Sequence, residues 1–288
     1  MKKALLVVAT ALTLAGCATS TGKPVEVVNA DRAGGVVTVG YVNSENLPLM
    51  DDGSKARWLD ANDIKHTASN YPAQSIAKDK VQLPTFCATI GIDTPEIIAL
   101  SDIQTSRYSR FIAKPRMGSL HQNMVVFDKA NVPYETLLAK EELIIQPYLA
   151  GREFTVGVIP TEDANDYMCL PPLEIRPDDN REVYIAGQNY GRTEKVMNHH
   201  LPADVCHAMQ ATVLKAHKAL GLRGMSRTDV RLSDGKIYIL DINTMPNLDT
   251  NSFLPFMVKH QGIELKELFR RILLRFELYY HQNEVAIY

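Results

Sequence analysis

Apolar and polar positions change their rhythm several times along this chain, and each change predicts an element. ALLVVATALTL, directly after Lys2 and Lys3, is an apolar run too short to cross a bilayer as a helix. From Ala18 to about Val42 the chain is small, polar and β-prone, with GGVVTVGYV as a candidate strand. Residues 43–76 carry turn formers such as Asp51-Asp52-Gly53 and Asn70-Tyr71-Pro72 with little periodicity, which predicts a linker or a small irregular subdomain. Residues 77–91 then predict a helix ending at Gly91, kinked by Pro84 unless that proline lies near a broken first turn. FIAKP and NMVVF predict strands around a loop at 116–122, followed by a short helix near 134–141 and the strands LIIQP and EFTVGVI. MCLPPLEI and EVYIA predict further strands, and a long helix over 203–220 starts beside Pro202. GMSRTDVRL and KIYILDIN predict a hairpin about Ser233-Asp234-Gly235, and amphipathic helices fill 252–281. Mixed elements in this order, with no internal repeat, predict an α/β (α+β) fold.

Composition narrows the function only by exclusion. A length of 288 residues with 45% hydrophobic and 22% charged content is enough for about two globular domains. The formal net charge of -2 and the lack of a basic stripe argue against nucleic acid as a partner. Cys17, Cys87, Cys169 and Cys206 are too widely spaced for a zinc motif and too few for a disulfide framework. His199 and His200, adjacent in a polar stretch before a helix, read as plain loop residues.

The first twenty residues have the charge, apolar run and small-residue end of a secretory signal. Leu14-Ala15-Gly16-Cys17 resembles the bacterial lipobox, whose cysteine is acylated, so residues 1–17 are expected to be a lipoprotein-type signal and Cys17 a point of membrane attachment.

The hairpin carries the candidate chemistry. Arg227, Asp229 and Arg231 alternate with Thr228, Val230 and Leu232 and so share one face of a strand, as do Asp241 and Asn243 on the returning strand. With Asp234-Gly235-Lys236 as the loop, Asp229 faces Asp241 at about 5 Å between Cβ atoms. Facing carboxylates repel unless a cation lies between them, and two carboxylates with an amide suit magnesium beside phosphate oxygens. A two-residue Asp-Gly turn would put the pair on opposite faces, so the metal site requires the longer loop or a bulge. Otherwise the charges form a solvated hairpin face.

From about Ala77 to Leu274 the chain resembles the ATP-grasp ligases, most closely the D-alanine–D-alanine ligase branch. The resemblance rests on the order of AKDKVQLPTFCATIGIDTP, FIAKP with a glycine-containing loop, QPYLAGREFTVGVI, LPPLEI, RTDVRL and DINTMPNLDTNSFLP. It implies an ATP-grasp domain over 77–288 behind a shortened or replaced N-terminal region at 18–76, with about 77–190 and 191–288 forming the two sides of a nucleotide cleft.

It further implies ATP as co-substrate and Mg2+ (or Mn2+) as cofactor. Lys80 and Lys114 match phosphate-binding lysines, and Gly118 and Ser119 match the loop that covers the phosphates. Gln146, Tyr148 and Leu149 match the adenine-lining hinge, and Glu153 the acid that accepts ribose hydroxyls. Asp229, Asp241 and Asn243 match the magnesium ligands. Arg227 matches the arginine that stabilises the tetrahedral intermediate, Ser252 the residue holding the second amino acid's carboxylate, and Tyr190 the tyrosine ending the family's Y-D-Y-E-A-K-Y segment. Small amino-acid-like substrates, an acylphosphate intermediate and a homodimer complete what the resemblance implies.

Four departures accompany it. The family's full N-terminal domain has no counterpart here; RMGSLHQN carries Met117 where an acid is usual; Asn189 stands where a lysine reaches the γ-phosphate; and Asn247 and Asp241 replace a glycine and a glutamate. Asn247 is expected to keep the turn because asparagine tolerates positive φ. The adenine and metal ends are thus better kept than the γ-phosphate and first-substrate ends. A nucleotide-binding module without ligase turnover is the second reading, and an envelope lipoprotein with a structural ATP-grasp fold the third. The lipobox predicts the cell envelope and the chemistry predicts the cytoplasm.

Overall fold

The structure, a computed structural model, describes residues 29–32, 35–38, 52–61, 65–117, 124–139, 142–177, 193–197 and 200–285. Cys17, Gly118, Ser119, Asn189, Tyr190 and the predicted strand EVYIA lie outside the described residues. Among the described residues no helix is long and apolar enough to cross a membrane.

Strands β1 (Asn29–Arg32) and β2 (Gly35–Thr38) form an antiparallel pair. Residues 43–76, expected to be irregular, instead include helix α1 (Asp52–Ala61) and the start of α2 (Tyr71–Lys78). The turn formers mark the start of α2: Asn70 caps it by accepting from the Ala73 amide at 3.2 Å, and Pro72 fits the first turn, where its missing N–H goes unneeded. The single helix expected over 77–91 is broken. A turn at residues 79–81 separates α2 from α3 (Gln82–Thr89), which puts Pro84 in the first turn of α3.

A small antiparallel sheet follows, ordered β4-β3-β5, from β3 (Arg110–Pro115), β4 (Val125–Asp128) and β5 (Leu143–Pro147), with helix α4 (Tyr134–Leu138) between the last two. Alternation along β3 turns Phe111 and Ala113 into a core with Ile103, Phe127, Leu137 and Ile145.

The larger sheet contains β6 (Arg152–Pro160), β7 (Tyr167–Cys169), β8 (Leu173–Pro177), β9 (Thr193–Val196), β10 (Ser226–Ser233) and β11 (Lys236–Asn243). Its order is β11-β10-β6-β8-β9, with β7 also pairing β6, and every pairing is antiparallel. The stretch expected as one strand, MCLPPLEI, splits into β7 and β8 because Pro171 and Pro172 cannot donate to a ladder.

Helix α5 (Ala203–Ala219) buries Met209, Val213 and Ala216, a helical stripe, and Met209 and Val213 pack against Phe154, Val156, Val158 and Val230 on the sheet's back face. It stops where Gly221 takes φ 66° and its amide bonds back to Lys218. Helices α6 (Phe253–His260) and α7 (Leu265–Val285) cover Ile159, Leu170 and Leu173 through Leu254, Met257, Val258, Leu268 and Ile272.

Candidate active site

The register of the β10–β11 hairpin decides the site. The turn has two residues, Asp234 and Gly235, with φ of 49° and 73°, and Ser233 pairs with Lys236. That turn alone would set the two aspartates on opposite faces. Between Asp229 and Val230 the register shifts: Val230 pairs with Ile239 but Asp229 pairs with Asp241, leaving Leu240 as the extra residue of a bulge. Of the two conditions under which the sequence allows the facing pair, the longer loop is absent and the bulge is present.

Residues paired across strands lie on one face, so three rows cross the front of the sheet. Gly157, Arg227 and Asn243 form one, Thr155, Asp229 and Asp241 the next, and Ile175, Glu153, Arg231 and Tyr238 the third. Lys195, opposite Ile175, extends the third row. Glycine at 157 is required by close approach: a Cβ there would fall 2.6 Å from Leu254 Cδ1 and 2.9 Å from Leu170 Cδ1.

In the middle row Asp229 is buried, and its Oδ2 accepts from Arg227 Nη2 at 3.1 Å while Oδ1, also buried, has no hydrogen-bond partner. An orphaned carboxylate oxygen opposite a second carboxylate is the donor set a hard cation would satisfy. Asn243 Oδ1 accepts from the Met245 amide at 2.9 Å and keeps a second lone pair. Among the described residues no group of three His, Cys, Asp or Glu side chains forms a metal site; the oxygens on this face come from two carboxylates and the Asn243 amide.

Lys114 comes from β3 of the small sheet and Lys80 from the turn between α2 and α3, and both lie in the field of Asp241. Burial lowers Lys80 below its ordinary value against the attraction of Asp241 and Asp79. Burial likewise brings Lys114 down to about 8, with Asp241 opposing the shift and Lys80 adding to it. A clamp lies beside both lysines in sequence: Asp79 accepts from the half-exposed Arg116 through Nε and Nη2 at 2.9 and 2.7 Å and from the Val81 amide at 2.9 Å. The Arg116 pairing holds the Asp79 carboxyl well below the usual range, and the Lys80 amide donates to Arg116 O at 3.1 Å. This clamp escaped the sequence, since Asp79 and Arg116 are 37 positions apart.

At the hinge, Gln146 is buried with its amide donating to Pro95 O at 3.0 Å, so its side chain is committed to the scaffold. The Tyr148 amide donates to Arg110 O at 2.9 Å, with the Arg110 guanidinium 4.9 Å from its ring centroid, and Leu149 is half-buried beside it. Gly151 has φ 143°, and a Cβ there would lie 2.1 Å from Leu232 O, which lets the hinge press on the end of β10. Glu153 is pushed up to about 7 by burial, although Arg231 pulls it down through an ion pair of 2.7 Å. Arg231 also donates to Gly151 O at 3.0 Å. The alternation of β10 put Arg231 on the front face, but its pairing with Glu153 needed the β6 register.

Beyond β11 the chain is carried by Asx turns, Asn247 accepting from the Asp249 amide and Asp249 from the Asn251 amide, each at 2.9 Å. Asn247 therefore holds its turn through its side chain and not, as expected, through positive φ. Ser252 follows as the N-cap of α6 with no side-chain capping bond.

A small sheet carrying Lys114 and a larger sheet carrying a carboxylate hairpin are the arrangement of the ATP-grasp class. Residues 131–274 match the family model described as the D-ala D-ala ligase C-terminus. D-alanine–D-alanine ligase of Thermotoga petrophila is 31% identical over 231 residues, covering 77% of this chain and 75% of its own. That of Leptospira biflexa is 29% identical over 240 residues, covering 77% and 68%. The solved D-alanine–D-alanine ligase of Bacillus anthracis complexed with ATP superposes with a TM-score of 0.65 at 21% identity, covering 81% of this chain and 77% of that one. VanG D-Ala:D-Ser ligase of Enterococcus faecalis gives 0.67 at 17%, covering 78% and 69%. The chain belongs to the D-alanine–D-alanine ligase family and has the ATP-grasp fold.

Proposed function

We propose that this protein is an ATP- and magnesium-dependent ligase that activates one amino acid's carboxylate and joins it to the amine of a second, with D-alanine the first candidate for both. The observation that carries the reading is the facing Asp229–Asp241 pair, with an orphaned oxygen and two half-buried lysines in the field of Asp241. Asp229, Asp241 and Asn243 would hold the magnesium, which when bound neutralises phosphate charge.

The chain's own groups account for the remaining chemistry. Lys80 and Lys114 hold the phosphates, and Glu153, fixed by Arg231, accepts from the ribose. Transfer of the terminal phosphoryl group to the substrate carboxylate gives an acylphosphate; the amine attacks its carbonyl carbon, and phosphate leaves. Arg227 offers its charge to the oxyanion of that attack while Ser252 orients the amine-bearing substrate. The lipobox-like stretch ending at Cys17 supports anchoring at the envelope, and palmitate labelling lost in Cys17→Ala would test it.

The decisive assay supplies ATP, Mg2+ and a panel of amino acids, one of them 18O-labelled in its carboxylate. Amino-acid-dependent ADP release with one label passing into phosphate is expected. ADP release that ignores amino acids rejects the reading. A nucleotide-binding module without turnover is the second reading, favoured by Asn189 in place of a lysine; it predicts ATP affinity with no ADP formed.

A further inference from the structure

Lys80 and Lys114 belong to different elements, and two ammonium groups aimed at one anion repel each other. Both lie in the field of Asp241, and Lys80 helps to lower Lys114. Something other than their own charges must therefore keep the turn between α2 and α3 against the end of β3. Three contacts at Arg116 do so. Its N–H donates to Glu142 O at 2.8 Å, one step beyond the Pro115–Leu143 pair, so the β3–β5 register runs on through residue 116. Its carbonyl accepts from the Lys80 amide at 3.1 Å, and its guanidinium forks onto Asp79, the residue before Lys80.

The Asp79 carboxylate is buried and engaged on both oxygens by protein. Oδ1 accepts from Arg116 Nε and from the Val81 amide, each at 2.9 Å, and Oδ2 from Arg116 Nη2 at 2.7 Å and Gln82 Nε2 at 2.9 Å. A carboxylate so occupied is not placed to bind a ligand itself. The two-bond fork of an arginine fixes direction as well as distance, which a single ammonium contact does not. The pair is also neutral in sum, so it ties two lysine-bearing elements together without cancelling either ammonium.

We propose that Asp79 and Arg116 are positioning residues whose ion pair sets Lys80 against Lys114 at the spacing a nucleotide's phosphate chain requires, an inference that rests on the nucleotide site of the ligase reading. In this role the pair touches neither nucleotide nor metal and acts through the Lys80 amide and the end of β3. Its loss is felt by the phosphates beyond the first. Without Arg116, the Asp79 carboxylate keeps its charge beside Lys80, which it already attracts, and draws that ammonium off the phosphates.

The test measures ATP and AMP binding to the full chain in Mg2+ by calorimetry, for wild type, Arg116→Met, Asp79→Asn and the double variant, with thermal melts to show that each folds. Arg116→Met should lose about ten- to hundredfold in ATP affinity, the scale of one charged hydrogen-bonded contact, with AMP binding little changed. Asp79→Asn/Arg116→Met should bind ATP better than Arg116→Met alone, because the competing carboxylate has gone. A pair needed only for stability does not produce that recovery. Unchanged ATP affinity in Arg116→Met, equal losses for ATP and AMP, or a double variant no better than Arg116→Met overturns the inference. Should Arg116→Met not fold, the isosteric Asp79→Asn decides alone: ATP weakened about tenfold with AMP unchanged supports the inference, and no change overturns it. A wild type that binds ATP no more tightly than AMP overturns the nucleotide reading and the inference with it, whereas a wild-type preference that survives in the variants overturns the inference alone.

Discussion

Asp229 and Asp241 stand directly opposite each other across the β10–β11 hairpin because one residue, Leu240, is extra on the returning strand. The bulge, and not the turn, puts two like charges on one face. Like charges so placed repel unless a cation intervenes. Asp241→Asn should therefore weaken ATP binding in Mg2+ by more than the ten- to hundredfold that losing even an outer partner of a metal ligand produces. In chelator the variant should bind ATP at least as well as wild type, since a repulsive charge has gone. Calorimetry in both buffers checks the pair of outcomes.

Arg227 touches Asp229 at 3.1 Å and Phe253 at 5.2 Å, a position suited to developing charge on substrate. Arg227→Met should lower kcat about 10²- to 10³-fold, the usual effect of losing one oxyanion donor, and leave ATP affinity largely intact. Steady-state kinetics beside equilibrium nucleotide binding separates the two.

The Glu153–Arg231 pair predicts a pH dependence of stability. The folded-state value of Glu153, about 7, is raised above its ordinary 4.5, so the folded protein holds that proton more tightly. Its contribution to stability is full below about pH 4.5 and is lost as pH rises to about 7. Urea midpoints across this range should fall in wild type, and Glu153→Gln should flatten this component. Arg231→Met, which leaves a buried carboxylate unpaired, should cost about 3–5 kcal/mol above pH 7.

Two glycines offer a matched comparison. Gly151→Ala would drive a Cβ to 2.1 Å from a backbone oxygen, which cannot swing aside, whereas Gly235→Ala meets nothing within 4 Å and is strained only by its φ of 73°. Gly235→Ala should cost about 1–2 kcal/mol and leave nucleotide binding alone. Gly151→Ala should cost more and weaken ATP binding by displacing the hinge. Melting temperatures and ATP affinities of the two variants provide the readout.

Much of this site was legible along the chain, because strand alternation fixes which side chains share a face. Arg227, Asp229 and Arg231 could be grouped that way, and so could Asp241 with Asn243. What alternation does not carry is register between strands, which is why the sequence left a longer loop and a bulge both open and could not name Leu240 as the extra residue. Long-range partners were equally hidden. Asp79 meets Arg116, and Lys195 meets Asn251 and Phe253, only through tertiary folding. The helix expected over 77–91 breaks at Asp79, where that carboxylate accepts from Arg116 and from the Val81 amide in the turn before α3, a competition that local propensity cannot register. Residues 43–76 were misjudged because α1 has weak amphipathic character, which leaves little periodicity to read.

The most direct measurement is dipeptide formed per ATP consumed when the full chain is mixed with Mg-ATP and D-alanine, followed by mass spectrometry. A joining enzyme built on this cleft yields one peptide bond for each ADP and each phosphate. Bound nucleotide that stays intact with every amino acid offered, or ADP that accumulates without any peptide, would contradict it.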